Sequence, residues 1–396
     1  MKQNGTVFGG TLLVAGTTIG GGMLALPVLT SLGGFVPSLV IYFCCWAFMA
    51  GTGLLFLEVS QWTKQESNIV TMADKTLGTP GKVAAWILYL FLFYCLTLAY
   101  VVGCGDLVSK SLSGSIPTSA GSFIFVAIFA PFVFLGTKVV GKLNIYLVAA
   151  LAFFYFTFVF LGFRFIKLEL LSYSNWSLSL KALPIAFTAF AYQGIIPSLL
   201  QYMDNDQLKV RKAIIIGSFI PLVAYIIWQG LILGIVPTYG PGGLAQALEN
   251  GDNAVYPLKN FIQSSWVYPI GQCFAFFALL TSFLGVTLGL LDFLADGLQI
   301  KKTKTNRFLL CCLIFIPTLF MGFLQPGLFL QALDYAGGFG CSLLLGLLPI
   351  LMVWRGRYYL GFKSTYTVPG GKSLLILMLL FVSFELVFEI TKQFIR

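Results

Sequence analysis

Histidine is absent from the 396 residues, and acidic side chains are scarce, with 14 Asp and Glu against 24 Lys and Arg. Without histidine, HExxH metalloprotease chemistry, Ser-His-Asp triads and histidine proton relays are excluded. Charged residues make up 10% of the chain, against about 25% in soluble proteins, and hydrophobic residues reach 58%. That balance excludes the soluble globular class. The eight cysteines lie inside or at the ends of apolar runs, without paired loop spacings, so neither a disulfide framework nor a zinc site is expected. No cofactor is expected. A cleavable leader is not expected either, because the first apolar run follows a single Lys2 and ends at Pro27 without a small-residue cleavage pattern.

Long apolar runs are what the sequence has in abundance. Crossing roughly 30 Å of hydrocarbon takes about 20 mainly apolar residues in a helix. Eleven such runs occur, at Val7–Thr30, Gly33–Val59, Lys82–Leu107, Gly121–Gly136, Leu143–Phe163, Lys181–Leu200, Lys212–Val236, Phe261–Gly297, Phe308–Leu324, Leu328–Trp354 and Ser373–Lys392. The expected class is an all-α polytopic membrane protein with the lipid bilayer as partner. The formal charge of +10 would raise nucleic-acid binding in a soluble protein. Here the charges fall between spans and serve orientation instead. With the N-terminus cytoplasmic, 17 Lys and Arg lie on the cytoplasmic side and 7 opposite, with the C-terminus outside.

Five is an odd number, so a duplicated five-span unit inserts its second copy upside down. The expected division is a first repeat over 1–163, an inverted second repeat over 164–354, and a loop with an accessory span 11 over 355–396. Spans 1 and 6 carry helix-weakening residues at corresponding places: Ala15-Gly16-Thr17-Thr18-Ile19-Gly20-Gly21-Gly22 before Pro27, and Ala191-Tyr192-Gln193-Gly194 before Pro197. An isolated glycine in a membrane span more often serves close helix packing. Four glycines within seven residues cost a helix several times the ~1 kcal/mol of one. Span 1 is therefore expected to unwind, with its freed peptide groups buried in protein or lining a ligand cavity. Paired breaks of this kind point to a transport site.

The stretches Ala15–Pro27, Phe187–Leu199 (FTAFAYQGIIPSL) and Thr281–Gly289 (TSFLGVTLG) resemble those of the bacterial aromatic amino-acid permeases, in the hydroxy/aromatic amino-acid permease family. The resemblance covers essentially the whole chain. It implies the amino-acid/polyamine/organocation architecture of two inverted five-helix repeats with broken helices 1 and 6. It also implies import of an aromatic amino acid, tyrosine or tryptophan, by symport with a cation, the proton in this family, across the bacterial inner membrane. One departure is plain. The family usually has a histidine in the span 6 break, where this chain has Gln193.

A broken helix offers partners for a zwitterion without any buried charge. The substrate carboxylate is expected at the N–H groups of Gly20, Gly21 and Gly22, at the positive end of the second half of span 1. The ammonium is expected at carbonyls near Ala15 and Gly16 and near Phe187 and Phe190, with Thr17 or Thr18 hydroxyls assisting. Rings for an aromatic side chain are expected from Phe187, Phe190, Tyr192 and Tyr94 or Tyr100, although 39 phenylalanines make ring content a weak guide. Gln193, a polar amide at the unwound turn, is expected to contact substrate or a gate.

In related broken-helix transporters a cation sits between span 1 and span 8, which maps to Gly16 and Ile19 carbonyls with Thr281 and Ser282 hydroxyls. Oxygen ligation of that kind suits sodium, whereas a proton needs a titratable group. Such groups are Glu58, Asp106, Asp292, Asp296, Asp334, Glu385 and Glu389, of which Asp334 in span 10 is expected to be the most buried. Sodium-coupled or passive transport of another neutral amino acid is the alternative. A membrane enzyme is a weaker rival: Gly103-Cys104-Gly105-Asp106 spells the GxGD of intramembrane aspartyl proteases, but no Asp occurs in the two preceding spans.

Overall fold

A peptide N–H or C=O facing hydrocarbon costs several kcal/mol unless it is bonded within its own segment, so each long apolar run becomes a helix. The computed structural model describes residues 5–63, 68–112, 114–264, 266–325 and 327–395. The charges at Lys2, Lys64 and Arg396 lie outside them. Among the described residues, ten helical stretches are long and apolar enough to cross a membrane: span 2, Phe35–Ser60; span 3, Thr79–Ser111; span 4, Thr118–Leu135; span 5, Thr137–Phe165; span 6, Trp176–Tyr202; span 7, Gln207–Ile235; span 8, Val267–Gly297; span 9, Lys304–Leu324; span 10, Phe329–Tyr358; and span 11, Gly371–Phe394. Span 1 is the bent pair Val7–Thr18 and Gly21–Gly33, whose halves meet at 53°. The architecture is all-α, with eleven spans in which spans 1 and 6 are interrupted and span 11 follows as an accessory.

Local chemistry sets the ends. The Thr6 hydroxyl accepts the Gly9 N–H at 3.0 Å and opens span 1, and the Asp206 carboxylate accepts the Lys209 N–H at 3.1 Å and opens span 7. That bond and the Lys209 side chain hold the Asp206 carboxyl below its ordinary range. Two boundaries differ from expectation. Span 8 starts at Val267, because Leu258–Phe261 forms a separate short helix in the preceding loop. Span 5 starts at Thr137, six residues early, because Gly136 alone joins it to span 4 in a left-handed conformation (φ 90°) that favours glycine.

Spans 6 and 10 form the interior, with 72% and 78% of their apolar windows buried, whereas spans 4, 5 and 11 are 28%, 22% and 28% buried and form the outside. Phe153, Phe156 and Phe160 on span 5 point outward, as a lipid-facing surface requires. Two loops add short helices: Ile69–Leu77 after span 2, and Leu244–Asn250 after span 7. Within span 10, Ala336–Leu347 is wound as a π-helix, which nothing in the sequence pattern suggested.

Candidate substrate site at the paired breaks

The break in span 1 is shorter than its glycine run. Only Ile19 and Gly20 leave the helix, while Ala15 to Thr18 complete the last turn of the first half and Gly21 and Gly22 begin the second. The Thr17 and Thr18 hydroxyls donate back to the Leu13 and Val14 carbonyls at 2.7 and 2.8 Å. Ile19 N–H closes on the Ala15 carbonyl at 2.9 Å. The Gly21 N–H turns away from its own helix and donates to Ser282 Oγ of span 8 at 3.3 Å, so Thr17 loses the donor its carbonyl would have had. The three glycines permit three close approaches. A Cβ at Gly20 would stand 2.2 Å from Ser282 Oγ, one at Gly21 2.6 Å from Tyr100 Cε1, and one at Gly22 3.1 Å from Ala189 Cα of span 6.

Span 6 breaks earlier than expected. Its first half, Leu183–Ala189, ends before Phe190, Ala191 and Tyr192, and a 3-10 turn, Gln193–Ile195, leads into Ile196–Tyr202. Gln193 is fully buried. Its Oε1 accepts the Tyr192 N–H at 2.9 Å, and its Nε2 donates to the Met49 carbonyl and to Thr52 Oγ1, both at 3.0 Å. The amide's recorded bonds thus go to the freed backbone and to span 2, and the structure places Gln193 in packed interior and not among the residues lining the cavity described below.

The two breaks are tied by a residue that sequence reasoning missed. The Tyr225 hydroxyl of span 7 stands 2.7 Å from the Thr18 carbonyl and 2.9 Å from the Ala189 carbonyl, the last residues of the two first halves. A single phenol therefore meets carbonyls at both breaks, neighbours of those near Gly16 and Phe190 where an ammonium was expected.

Beside the span 1 break lies a cavity of about 490 Å³, lined by Gly9, Leu12, Leu13, Gly16, Thr17, Tyr100, Asn144, Ile145, Val148, Thr281, Ser282, Gly285 and Val286. Of the expected residues, it gathers Gly16, Thr17, Tyr100, Thr281 and Ser282. Ala15, Thr18, Ile19, Gly20, Gly21 and Gly22 do not line it; they lie at the break itself, next in sequence to Gly16 and Thr17. Asn144 and Gly285 were not anticipated; the buried Asn144 Oδ1 has no hydrogen-bond partner among the described residues. Of the expected cation ligands, the Thr281 hydroxyl donates back to the Phe277 carbonyl at 2.9 Å, and Ser282 Oγ receives Gly21.

The expected ring pocket is not assembled at this cavity. Phe187 packs on Phe48 and Phe381, and Phe190 on Tyr42 and Tyr225. The Tyr192 hydroxyl reaches the Met49 carbonyl at 3.4 Å, and Tyr94 donates to the Leu313 carbonyl of span 9. The reason is geometric: the rings of span 6 point toward spans 2, 7 and 11, while the cavity lies between spans 1, 3, 5 and 8. Asp334 also stands apart, paired with Lys392 of span 11.

The cavity reaches the surface on the side of the N-terminal half of span 1, where Phe8, Leu12 and Leu13 are exposed. The opposite side is closed. Asp252, Asn253, Ala254 and Val255 of the loop after span 7 are buried, and the Ala254 N–H donates to the Leu24 carbonyl of span 1 at 2.9 Å. Lys110 at the end of span 3 pairs with Asp252 and with Asp106, the latter at 2.7 Å, and lies 3.8 Å above the Tyr256 ring. The GxGD segment therefore has a packing role: Asp106 serves Lys110, and a Cβ at Gly105 would fall 2.1 Å from Ser122 Oγ of span 4.

Comparison with known proteins bears on this geometry. The chain is 34% identical over 96% of its length to the tyrosine-specific transport system 2 of Haemophilus influenzae, covering 95% of that protein. It is 30% identical over 98% of its length to the tryptophan-specific transport protein of the same organism, covering 96% of it. Its fold matches the crystal structure of MhsT in complex with L-phenylalanine at a TM-score of 0.62, with 16% identity and 99% of each chain covered. The description of the tryptophan/tyrosine permease family matches residues 3–389. With that match spanning nearly every span and both breaks, the chain belongs to the tryptophan/tyrosine permease family and is a multi-pass membrane transporter of amino acids, not an enzyme.

Proposed function

We propose that the protein imports an aromatic amino acid, tyrosine or tryptophan, across the bacterial inner membrane in symport with protons. The repeats are 1–163 and 164–354, with 355–396 added as loop and accessory helix, and the N-terminus is cytoplasmic. One observation carries the reading: the broken end of span 1 faces span 8 beside a cavity, with the Gly21 N–H aimed at Ser282 Oγ. A substrate carboxylate displacing that hydroxyl meets the helix N-terminus at Gly20, Gly21 and Gly22 and the Tyr100 phenol alongside. Relatives named for tyrosine and tryptophan transport support the aromatic assignment. Buried carboxylates in spans 10 and 11 support the proton.

With the N-terminus inside, the cavity mouth faces the cytoplasm, and the Lys110–Asp252 pair closes the outside. Import then requires the loop after span 7 to lift while the first half of span 1 swings in about Gly20. The test is uptake of labelled tyrosine into proteoliposomes under separately imposed proton and sodium gradients. The expected result is accumulation above equilibrium with the proton gradient alone, abolished by a protonophore and competed by tryptophan but not glutamine. Accumulation driven by sodium alone, or none with either ion, overturns the coupling assignment.

A further inference from the structure

Glu385 lies in the middle of span 11, fully buried, and neither of its carboxylate oxygens has a hydrogen-bond partner among the described residues. A buried carboxylate in that position is costly as an anion, and intramembrane acids are retained chiefly for function. The groups that face it are few. On its own helix, Glu389 and Lys392 follow at i+4 and i+7, on the same face. From span 10 come Asp334, Ser342 and Cys341, and from span 2 comes Cys45. Span 6 contributes the apolar Phe187, stacked on Phe381 at 5.9 Å.

Lys392 Nζ pairs with both Asp334 and Glu389, the latter at 3.0 Å. An ionised Glu385 adds a negative charge beside these buried carboxylates, whereas the neutral acid adds none. Ser342 lies beside Glu385, and its hydroxyl also reaches the Gly337 carbonyl at 3.0 Å.

The cluster is joined to the transport machinery. Ser342 and Gly337 belong to the π-wound stretch of span 10, and π-turns concentrate at functional sites. Span 10 touches the first half of span 6 so closely that a Cβ at Gly337 would stand 1.7 Å from the Pro184 carbonyl. The Thr188 hydroxyl donates to the Leu333 carbonyl, next to Asp334, at 2.8 Å. Thr188 is one residue from Ala189, where span 6 breaks.

We infer that Glu385 is the proton-binding group of the transport cycle, loaded through the Glu389–Lys392–Asp334 cluster at the outer end of spans 10 and 11 and read by the first half of span 6. On loading, one proton joins a carboxylate oxygen of Glu385; on release it leaves for the cytoplasmic side, and no other bond changes. The inference rests on the proton-symport reading above and assigns it a residue. It moves the proton away from the oxygen ligands of spans 1 and 8 to a place the substrate does not touch.

The test compares wild type with Glu385→Gln, a nearly isosteric neutral side chain, in proteoliposomes. Two quantities are read: accumulation of labelled substrate under an inward proton gradient, and counterflow exchange without one. A one-unit pH gradient supports about tenfold accumulation by a one-proton symporter. Expected is loss of that accumulation in Glu385→Gln, with counterflow within about twofold of wild type. Accumulation equal to wild type overturns the assignment, and so does a parallel fall of accumulation and counterflow, which marks a structural role. A wild type that ignores the proton gradient refutes proton symport itself, and is told apart because it shows before any variant is made.

Discussion

The Tyr225 hydroxyl lies 2.7 Å from the carbonyl oxygen of Thr18, the residue at which the first half of span 1 stops. The same oxygen is 2.9 Å from the Ala189 carbonyl, where the first half of span 6 stops. One side chain from span 7 thus keeps two helix ends in register and supplies the donor that the interrupted backbone lacks. Tyr225→Phe keeps the ring packing on Phe190 and removes only the oxygen. It is expected to remove the single O–H that the two buried carbonyls share, at a cost of about 1–3 kcal/mol. A lower Tm together with reduced uptake in proteoliposomes is the predicted outcome, and an unchanged Tm would show that the bridge carries no stability.

Gly20→Leu and Gly22→Leu are expected to abolish uptake while leaving membrane insertion intact. A Cβ at Gly20 displaces Ser282 Oγ, and one at Gly22 presses on the Ala189 backbone, so both block the approach of span 1 to its neighbours. Uptake per inserted molecule, with surface abundance measured by tag labelling, checks this. Normal uptake by either variant removes the site from the span 1 break.

Gln193→Leu removes the acceptor of the Tyr192 N–H, while the Met49 carbonyl keeps the Thr52 and Tyr192 hydroxyls. Stability is expected to fall by about 1–3 kcal/mol, because a buried N–H is left unsatisfied. Discrimination between tyrosine and tryptophan is expected to stay as in wild type, since the amide does not reach the cavity. A changed competition profile with an unchanged Tm would return Gln193 to the substrate.

Lys110→Gln unpairs Asp106 and Asp252 and leaves the buried loop after span 7 without its cation. The outward-open population is expected to rise. In a cysteine-free background carrying Ala254→Cys, labelling by a membrane-impermeant thiol reagent from outside should accelerate about tenfold or more, the effect of losing roughly 1.4 kcal/mol of closure. Equal labelling rates would mean that the ion pair does not hold the outer side shut.

Asp206 provides a pH signature. Its carboxyl is held below the ordinary carboxylate range by the Lys209 N–H, with the Lys209 side chain adding to the effect. A depressed carboxylate contributes stability that is present above its unfolded value and is lost as pH falls through the folded one. The Tm difference between wild type and Asp206→Ala is therefore expected to be largest near pH 7 and to shrink below about pH 4. A difference independent of pH would mean that the cap acts without its charge.

Much of this was legible in the residues because the signals were long or concentrated. Apolar runs of membrane length yield all eleven spans, and the glycine run at 16–22 locates the span 1 break. Thr281 and Ser282 line the same cavity as Gly16. What escaped depends on direction. Phe187 and Phe190 were visible as rings, but the face of span 6 that carries them turns to spans 2, 7 and 11. Tyr225 and Asn144 are single polar residues in apolar helices, and only packing decides which of them meets a broken backbone. The π-winding of Ala336–Leu347, a stretch packed against spans 3, 6 and 11, leaves no compositional mark.

The junction at Gly136 bears on biogenesis. A connection of one residue between spans 4 and 5 cannot reach across a bilayer or wait in water while its partner enters, so the two must leave the insertion machinery together as a hairpin. Lys138 and Lys142, just past the bend, then anchor its tip, and a residue other than glycine at 136 should surface as a defect of assembly before it surfaces as a defect of uptake.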